Sequence, residues 1–208
     1  MRRIRIGVLA SGGGTNLQAI IDACERGEID GDVAVVISNV PEAYALERAR
    51  KHRIDAFSFP HAGVSREQHE QDIIACLEQH QVDLVCLAGY LRMMTPLIIR
   101  KYAGRMMNTH PALLPAFGGK GMHGLYVHQA VLDYGCKVSG CTIHFVTEEV
   151  DGGQIILQKS VPVSEDDTPE TLQERVLKEE HKLFPRAIQL FAQGKLKIEG
   201  RRCMVLQS

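Results

Sequence analysis

The sequence predicts an α/β protein with a Rossmann-like, mostly parallel sheet flanked by helices, and with antiparallel strands in its C-terminal part. In the first half, short apolar runs alternate with helical patterns, and strands separated by helices of this length form right-handed parallel crossovers. In the second half, two longer β-like runs are joined through Asp151-Gly152-Gly153, which indicates an antiparallel pair. There is no internal repeat, linker or shift in composition, so we expect a single domain over residues 1–208.

Helix start and stop signals and apolar periodicity place each element along the chain. Pro41 and Pro96 suit the first position of a helix, and Ser65 with Gln68 suggests a capping box. Gly194 would end the long last helix. The expected strands cover residues 4–10, 33–38, 56–59, 83–88, 105–110, 138–147 and 154–163, with a short β-like tail over 195–206. The expected helices cover residues 16–26, 41–53, 65–80, 95–102 and 168–193.

Composition excludes several classes of partner. The formal net charge of −1 gives no electrostatic case for binding nucleic acid or an anionic membrane. No apolar run approaches the roughly 18 residues of a membrane span.

The six cysteines form no C-x-x-C pair, which favours reduced thiols in a cytoplasmic protein. The nine histidines lack the spacing of a zinc site, so we expect no metal.

Three glycines, Gly12–Gly14, follow the first strand and invite a dinucleotide-binding interpretation. That frame fails, because Leu17 stands where the third glycine belongs and Ser38-Asn39 replaces the acidic residue that binds a ribose hydroxyl. The remaining features are glycine N–H groups with Thr15 and Asn16 at a helix N-terminus, which suit a single phosphate. A tight turn without a ligand is the alternative.

An amide and an imidazole, Asn108 and His110, lie two positions apart at the end of an apolar run. Side chains two apart on a strand point to the same side, and Pro111 then bars the strand from continuing. Open α/β sheets bind ligands at such strand ends. A hydrogen-bond donor beside a titratable group suits acyl chemistry, whereas a loop-capping role is the plain alternative.

Four segments together carry a family resemblance over nearly the whole chain. The segments are ASGGGTNLQ (10–18), LAGYLRMM (87–94), NTHPALLP (108–115) and DGG (151–153). With these segments the chain resembles the folate-dependent glycinamide ribonucleotide formyltransferases of purine synthesis. The sequence departs from the usual family pattern at Ala112, where serine is common, and at Gly118, where proline is common. The resemblance also suggests a cis peptide between Leu114 and Pro115.

The resemblance implies formyl transfer from the co-substrate 10-formyltetrahydrofolate to the amine of 5′-phosphoribosylglycinamide (GAR). Attack of the amine gives a tetrahedral intermediate with an oxyanion, to which Asn108 would donate a hydrogen bond. His110 would do the same as an imidazolium and then protonate the leaving folate nitrogen. Asp151 would hold His110 and favour its charged form. From sequence alone, Asp151 before two glycines is a turn residue.

The resemblance also implies the binding residues. Gly14, Thr15 and Asn16 would bind the phosphate, and Glu180 the ribose, although a solvated helix charge is the alternative for Glu180. Folate would contact Arg66, Leu91, Arg92, Met93, Met94 and Asn108. Plain core packing is the alternative for Met93 and Met94, and a surface position is the alternative for Arg66.

Two other functions stay open at this point. In a 10-formyltetrahydrofolate hydrolase of the same superfamily, water would replace the amine, but such an enzyme has no use for a phosphate loop. A non-catalytic module that binds a phosphate ligand is the second alternative. We expect only small-molecule partners, GAR and 10-formyltetrahydrofolate, and a monomer or homodimer.

Overall fold

A computed structural model describes residues 2–207, and its elements alternate in the predicted α/β pattern. The strands are β1 (Ile4–Leu9), β2 (Gly31–Ser38), β3 (Asp55–Ser58), β4 (Leu84–Leu87), β5 (Met106–His110), β6 (Val138–Phe145), β7 (Ile155–Pro162), β8 (Leu196–Glu199) and β9 (Arg202–Val205). The helices are α1 (Thr15–Glu25), α2 (Tyr44–Lys51), α3 (Arg66–Gln79), α4 (Pro96–Lys101), α5 (Leu125–Asp133) and α6 (Pro169–Ala192).

The main sheet has the strand order β3-β2-β1-β4-β5-β6-β7. Strand β1 pairs in parallel with β2 and β4, and β2 pairs in parallel with β3. Strands β6 and β7 are antiparallel, and β8 and β9 form a separate hairpin. The predicted fold class, including its antiparallel C-terminal part, is therefore confirmed.

The chain divides into two compact units, with the boundary between Met107 and Asn108 inside β5. The expectation of a single domain over residues 1–208 stays a prediction. The first unit holds β1 to β4 and α1 to α4, and the second holds β6 to β9, α5 and α6.

The core of the first unit lies where its parallel strands are buried. Ile6, Val8 and Leu9 of β1 and all four residues of β4 are buried, as continuous apolar runs predict for strands covered on both faces. Helix α1 buries its predicted face, which includes Leu17 and Ile20. Burial of large aliphatic side chains contributes about 1.5–3 kcal/mol each to folding.

Two predicted helix starts have different outcomes. Pro96 is the first residue of α4, and the Thr95 hydroxyl accepts a hydrogen bond from the Leu97 N–H at 3.2 Å. The prediction of a helix from Pro41 is wrong, because α2 begins at Tyr44. Val40 forms a turn instead, in which its carbonyl accepts a hydrogen bond from the Ala43 N–H at 3.1 Å.

The predicted capping box at α3 is only half formed. The Ser65 hydroxyl accepts a hydrogen bond from the Gln68 N–H at 3.1 Å. The Gln68 side chain donates to Asp72 instead of returning to the Ser65 backbone.

The second unit contains one helix, α5, that the sequence analysis did not predict. Gly124 precedes it with φ of 53°, and the helix buries Val127, His128 and Val131. Its neighbour α6 buries the predicted positions Leu172, Val176, Leu183 and Ile188, whereas Leu190 is only half-buried.

Within residues 2–207, no helix combines the length and the apolar character needed to cross a membrane.

The buried ring of His128 predicts loss of stability in acid. Its exposed fraction is 1%, and neither ring nitrogen has a hydrogen-bond partner among the described residues. Burial, reinforced by the nearby His110, lowers the pKa of His128 from 6.5 to about 4. Because this pKa is lower in the folded than in the unfolded state, stability falls as pH drops from about 6.5 towards 4. We expect the H128L variant to lose less stability than the parent between pH 7 and 5.

Urea unfolding at both pH values measures this difference. The exposed His123 provides a matched control, since H123L should keep the acid sensitivity of the parent. Equal acid sensitivity in H128L and the parent would contradict the prediction. Some sensitivity should remain in H128L, because burial also lowers the pKa of His69 and His144.

Candidate active site

Strand β5 carries Asn108 and His110 to its end, as predicted, and stops directly before Pro111. The turn that follows is tied to β6 through Thr142. The Thr142 hydroxyl donates to the Ala112 carbonyl at 2.7 Å and accepts from the Leu114 N–H at 3.0 Å. This turn contains the expected cis peptide between Leu114 and Pro115.

Both nitrogens of the buried His110 ring face an acceptor. Its Nε2 lies 2.8 Å from the carbonyl oxygen of Phe117, and its Nδ1 lies 3.5 Å from Oδ2 of Asp151. An imidazolium can donate to both groups at once, whereas a neutral ring can donate to only one. The structure thus brings together the histidine and the carboxylate that the resemblance paired.

Asp151 lies in the turn between β6 and β7 and adopts φ of 52°, so it is a turn residue as well as a site residue. Its Oδ2 accepts a hydrogen bond from the Gly119 N–H at 2.9 Å, and its Oδ1 lies 3.7 Å from Nε2 of His144. The carboxylate is largely buried, at 12% side-chain exposure. Three segments of the second unit therefore meet at this carboxylate.

Of the two glycines after Asp151, Gly153 is required by space, since a Cβ there would lie 1.7 Å from the Phe145 carbonyl oxygen. A Cβ at Gly152 would meet only the exposed side chain of Glu149, which can move away. The turn is also held from the β8–β9 hairpin, where the Arg201 guanidinium donates to the Gly152 carbonyl.

His144 is a site residue that the sequence analysis missed. Its Nδ1 lies 2.9 Å from the Phe145 carbonyl, and its Nε2 lies 3.3 Å from the amide nitrogen of Asn108. Burial lowers the pKa of His144, which favours the neutral ring with the proton on Nδ1. Nε2 can then accept from Asn108 and fix the orientation of its amide, leaving the second amide hydrogen for a ligand. A histidine inside the apolar run of β6 was the available signal.

In the first unit, the glycine loop connects β1 to α1. Gly14 caps the helix with φ of 70°, and a Cβ there would lie 2.8 Å from Ala45 Cβ. Gly12 and Gly13 are exposed, with open space where a Cβ would stand. The first turn of α1 carries no acidic residue, so nothing in that turn repels an anion.

Ser11 braces this loop from the inside. Its hydroxyl donates to the Asn39 side-chain oxygen at 2.6 Å and accepts from the Leu91 N–H at 2.9 Å. Asn39 follows the second strand, where a dinucleotide-binding fold places an acidic ribose ligand. Here that position supports the loop instead.

The remaining predicted binding residues differ in exposure. Leu91 is 63% exposed and Met93 is 44% exposed. The alternative interpretation of Met93 as a core residue is therefore wrong. Arg66 is the exposed first residue of α3, while Arg92 and Met94 are half-buried. Glu180 on α6 is only 5% exposed, so its alternative as a solvated helix charge is wrong. The ligand-binding roles of all these residues stay predictions.

The described part of the chain, residues 2–207, contains no cluster of three or more His, Cys, Asp or Glu side chains suited to a metal ion.

A mostly parallel α/β sheet whose strand end presents an amide, an imidazole and a buried carboxylate defines a candidate site for acyl-group chemistry. Comparison with known families narrows this class. The family model described as formyl transferase matches residues 4–188. The chain therefore belongs to the formyl transferase family.

Curated and solved relatives agree with this assignment. The chain is 42% identical to phosphoribosylglycinamide formyltransferase of Escherichia coli over 94% of this chain and 90% of the relative. It is 43% identical to the bovine trifunctional purine biosynthetic protein adenosine-3, covering 99% of this chain but only 20% of that longer protein. The crystal structure of glycinamide ribonucleotide transformylase 1 from Symbiobacterium toebii has a TM-score of 0.95 at 50% identity, covering 99% of this chain and 95% of that one.

The contacts of Gly153 predict that even a methyl group is not tolerated in the Asp151 turn. The G153A variant must move either the turn or β6, because its Cβ would overlap the Phe145 carbonyl. Overpacking of this kind costs about 1–3 kcal/mol of unfolding free energy. Chemical unfolding measures this loss. As a control, G12A should be nearly neutral, since open space surrounds that position. Equal stability of G153A and the parent would contradict the steric argument.

Proposed function

We propose that this protein transfers the formyl group of 10-formyltetrahydrofolate to the amine of GAR, giving formyl-GAR in purine biosynthesis. The observation that carries the proposal is the cluster of Asn108, His110 and Asp151 within one unit of a formyl transferase family member. The names of the relatives in Escherichia coli and Symbiobacterium toebii support the choice of GAR as acceptor.

Asn108 acts on the charge that develops at the formyl oxygen. Attack of the neutral amine forms a C–N bond and pushes the carbonyl electrons onto oxygen. His144 holds one amide hydrogen of Asn108, and the other is directed to this oxyanion. A preorganised donor of this kind typically stabilises the transition state by ~3 kcal/mol.

His110 supplies the proton that the leaving folate nitrogen needs when its bond to the formyl carbon breaks. As an imidazolium it is held between the Asp151 carboxylate and the Phe117 carbonyl. One of these hydrogen bonds has to be exchanged for one to the substrate. The ammonium formed from the amine releases one proton to solvent, and His110 regains one from solvent after it has protonated the leaving nitrogen, so the number of protons is conserved over the transfer.

The ribonucleotide is bound through its phosphate and its ribose. Gly14, Thr15 and Asn16 bind the phosphate through backbone N–H groups and polar side chains at the start of α1. The buried carboxylate of Glu180 accepts hydrogen bonds from the ribose hydroxyls. A phosphate-binding loop has a use in GAR formyl transfer but none in a hydrolase.

The folate co-substrate is bound by exposed apolar and cationic side chains. Leu91 and Met93 flank the flat pterin, and backbone groups of the stretch 91–94, which includes Arg92 and Met94, recognise its amide edge. Arg66 pairs with a folate carboxylate. Asn108 contacts the formyl-bearing end.

We further propose that the enzyme acts in the cytoplasm as a monomer or homodimer, with these two small molecules as its partners and without a metal. All six cysteines are free thiols, as a reducing compartment requires. Burial raises the pKa of the Cys24 and Cys141 thiols to about 12, which keeps them protonated and unreactive.

One assay separates this function from its alternatives. The protein is incubated with 10-formyltetrahydrofolate, with and without GAR, and the release of tetrahydrofolate is followed. GAR-dependent release is the expected result. Release without GAR would favour a hydrolase, and no release would favour a binding module.

Substitution of the proton-donor pair tests the assigned roles. We expect H110A and D151N each to lose most turnover, because the former removes the proton donor and the latter removes the charge that favours an imidazolium. Binding of GAR, measured by calorimetry, should stay close to that of the parent. Turnover near the parental level in either variant would overturn the assignment.

The oxyanion role of Asn108 makes a separate prediction. N108A should reduce kcat by about 10²–10³-fold, the usual effect of removing one oxyanion donor. Steady-state kinetics with both substrates measures the loss, and KM for GAR should change little. An effect confined to a raised KM, with kcat unchanged, would show that Asn108 serves binding and not the transition state.

A further inference from the structure

Helix α2 donates hydrogen bonds to two carbonyl groups of the glycine loop in the first unit. The Ala45 N–H donates to the Gly12 carbonyl at 3.0 Å. The Arg48 Nε donates to the next carbonyl, that of Gly13, at 2.7 Å. Two successive loop carbonyls are therefore held by α2.

The Arg48 guanidinium is itself held in place. Its Nη1 donates to the Gln18 side-chain oxygen at 3.1 Å, and its central carbon lies 5.0 Å from the Tyr44 ring centroid. Gln18 in turn donates to Asp22 at 2.8 Å, which orients its amide so that the oxygen faces Arg48. The planar guanidinium of Arg48 thus joins the loop to α1 through two donor nitrogens, Nε and Nη1, a geometry that lysine cannot reproduce.

These bonds matter for an anion because carbonyl oxygens repel it and N–H groups attract it. Holding the Gly12 and Gly13 carbonyls on α2 fixes the loop before the ligand arrives, so less conformational freedom is lost on binding. The guanidinium also adds a permanent positive charge beside a helix start that carries no acidic residue in its first turn.

We propose that Arg48 is a positioning residue for the ribonucleotide phosphate, which it serves through the Gly13 carbonyl and through its charge. This inference rests on the proposed function, since it takes the glycine loop to be the phosphate site of GAR. It assigns Arg48 to ground-state binding of one substrate and not to the chemical step.

The test compares R48M and R48K with the parent in steady-state kinetics. Loss of a charged hydrogen bond at a binding site typically lowers affinity ~10–100-fold. We expect R48M to raise KM for GAR by about this factor, with kcat and KM for 10-formyltetrahydrofolate within about two-fold of the parent. R48K should be intermediate, since lysine keeps the charge and a single donor. The matched control is R50Q on the same helix, where Arg50 pairs with Glu47 on the surface, and it should keep parental kinetics.

A second readout does not depend on turnover. Calorimetric binding of GAR should weaken in R48M, and inorganic phosphate should compete with GAR less strongly than in the parent. Thermal melting of each variant establishes that it is folded, and R48K carries the test if R48M is not. Parental KM and GAR affinity in a folded Arg48 variant would overturn this inference and leave the proposed function intact. Absence of GAR-dependent turnover in the parent would overturn both.

Discussion

The carboxylate of Asp151 is the group on which the geometry of the candidate site depends. A buried carboxylate is strongly destabilising unless it is paired and hydrogen-bonded. Asp151 meets this requirement on Oδ2, which accepts a hydrogen bond from the Gly119 N–H and lies 3.5 Å from Nδ1 of His110. Satisfying one charge thereby positions the end of β5, the loop at residue 119 and the turn between β6 and β7. The crowded space between Gly153 and the Phe145 carbonyl oxygen restricts that turn.

The hydrogen-bonding surroundings of two histidines differ in this cluster. His144 is enclosed in β6 and gives one ring nitrogen to a backbone carbonyl, so burial favours its neutral form and leaves an acceptor for Asn108. His110 has an acceptor at each nitrogen, and one of these is a carboxylate. A neutral acceptor ring and a donor ring therefore lie on either side of the same aspartate. Such preorganised dipoles need little rearrangement when charge develops on a substrate.

Sequence reasoning succeeded where a local pattern is dictated by burial or by spacing. The apolar runs of β1 and β4 predicted buried parallel strands, and the two-residue spacing predicted that Asn108 and His110 share the end of β5. It failed where tertiary contacts decide the structure. Pro41 looked like a helix start, but a turn at Val40 delays α2 by three residues. Helix α5 was missed, since the sequence analysis assigned no element to residues 125–133.

The residues that sequence reasoning could not place act through partners far along the chain. Asp151 was paired with His110 only through the family resemblance, while His144 and Arg48 carry no motif that points to a ligand. Asn39 illustrates the reason. In the sequence, Asn39 shows only that the acidic residue of a dinucleotide-binding site is missing. In the structure, its side-chain oxygen accepts a hydrogen bond from the Ser11 hydroxyl and so supports the loop that holds Gly12–Gly14. The residue that argues against dinucleotide binding therefore supports the glycine loop, a role that only its contact with Ser11 in the folded chain reveals.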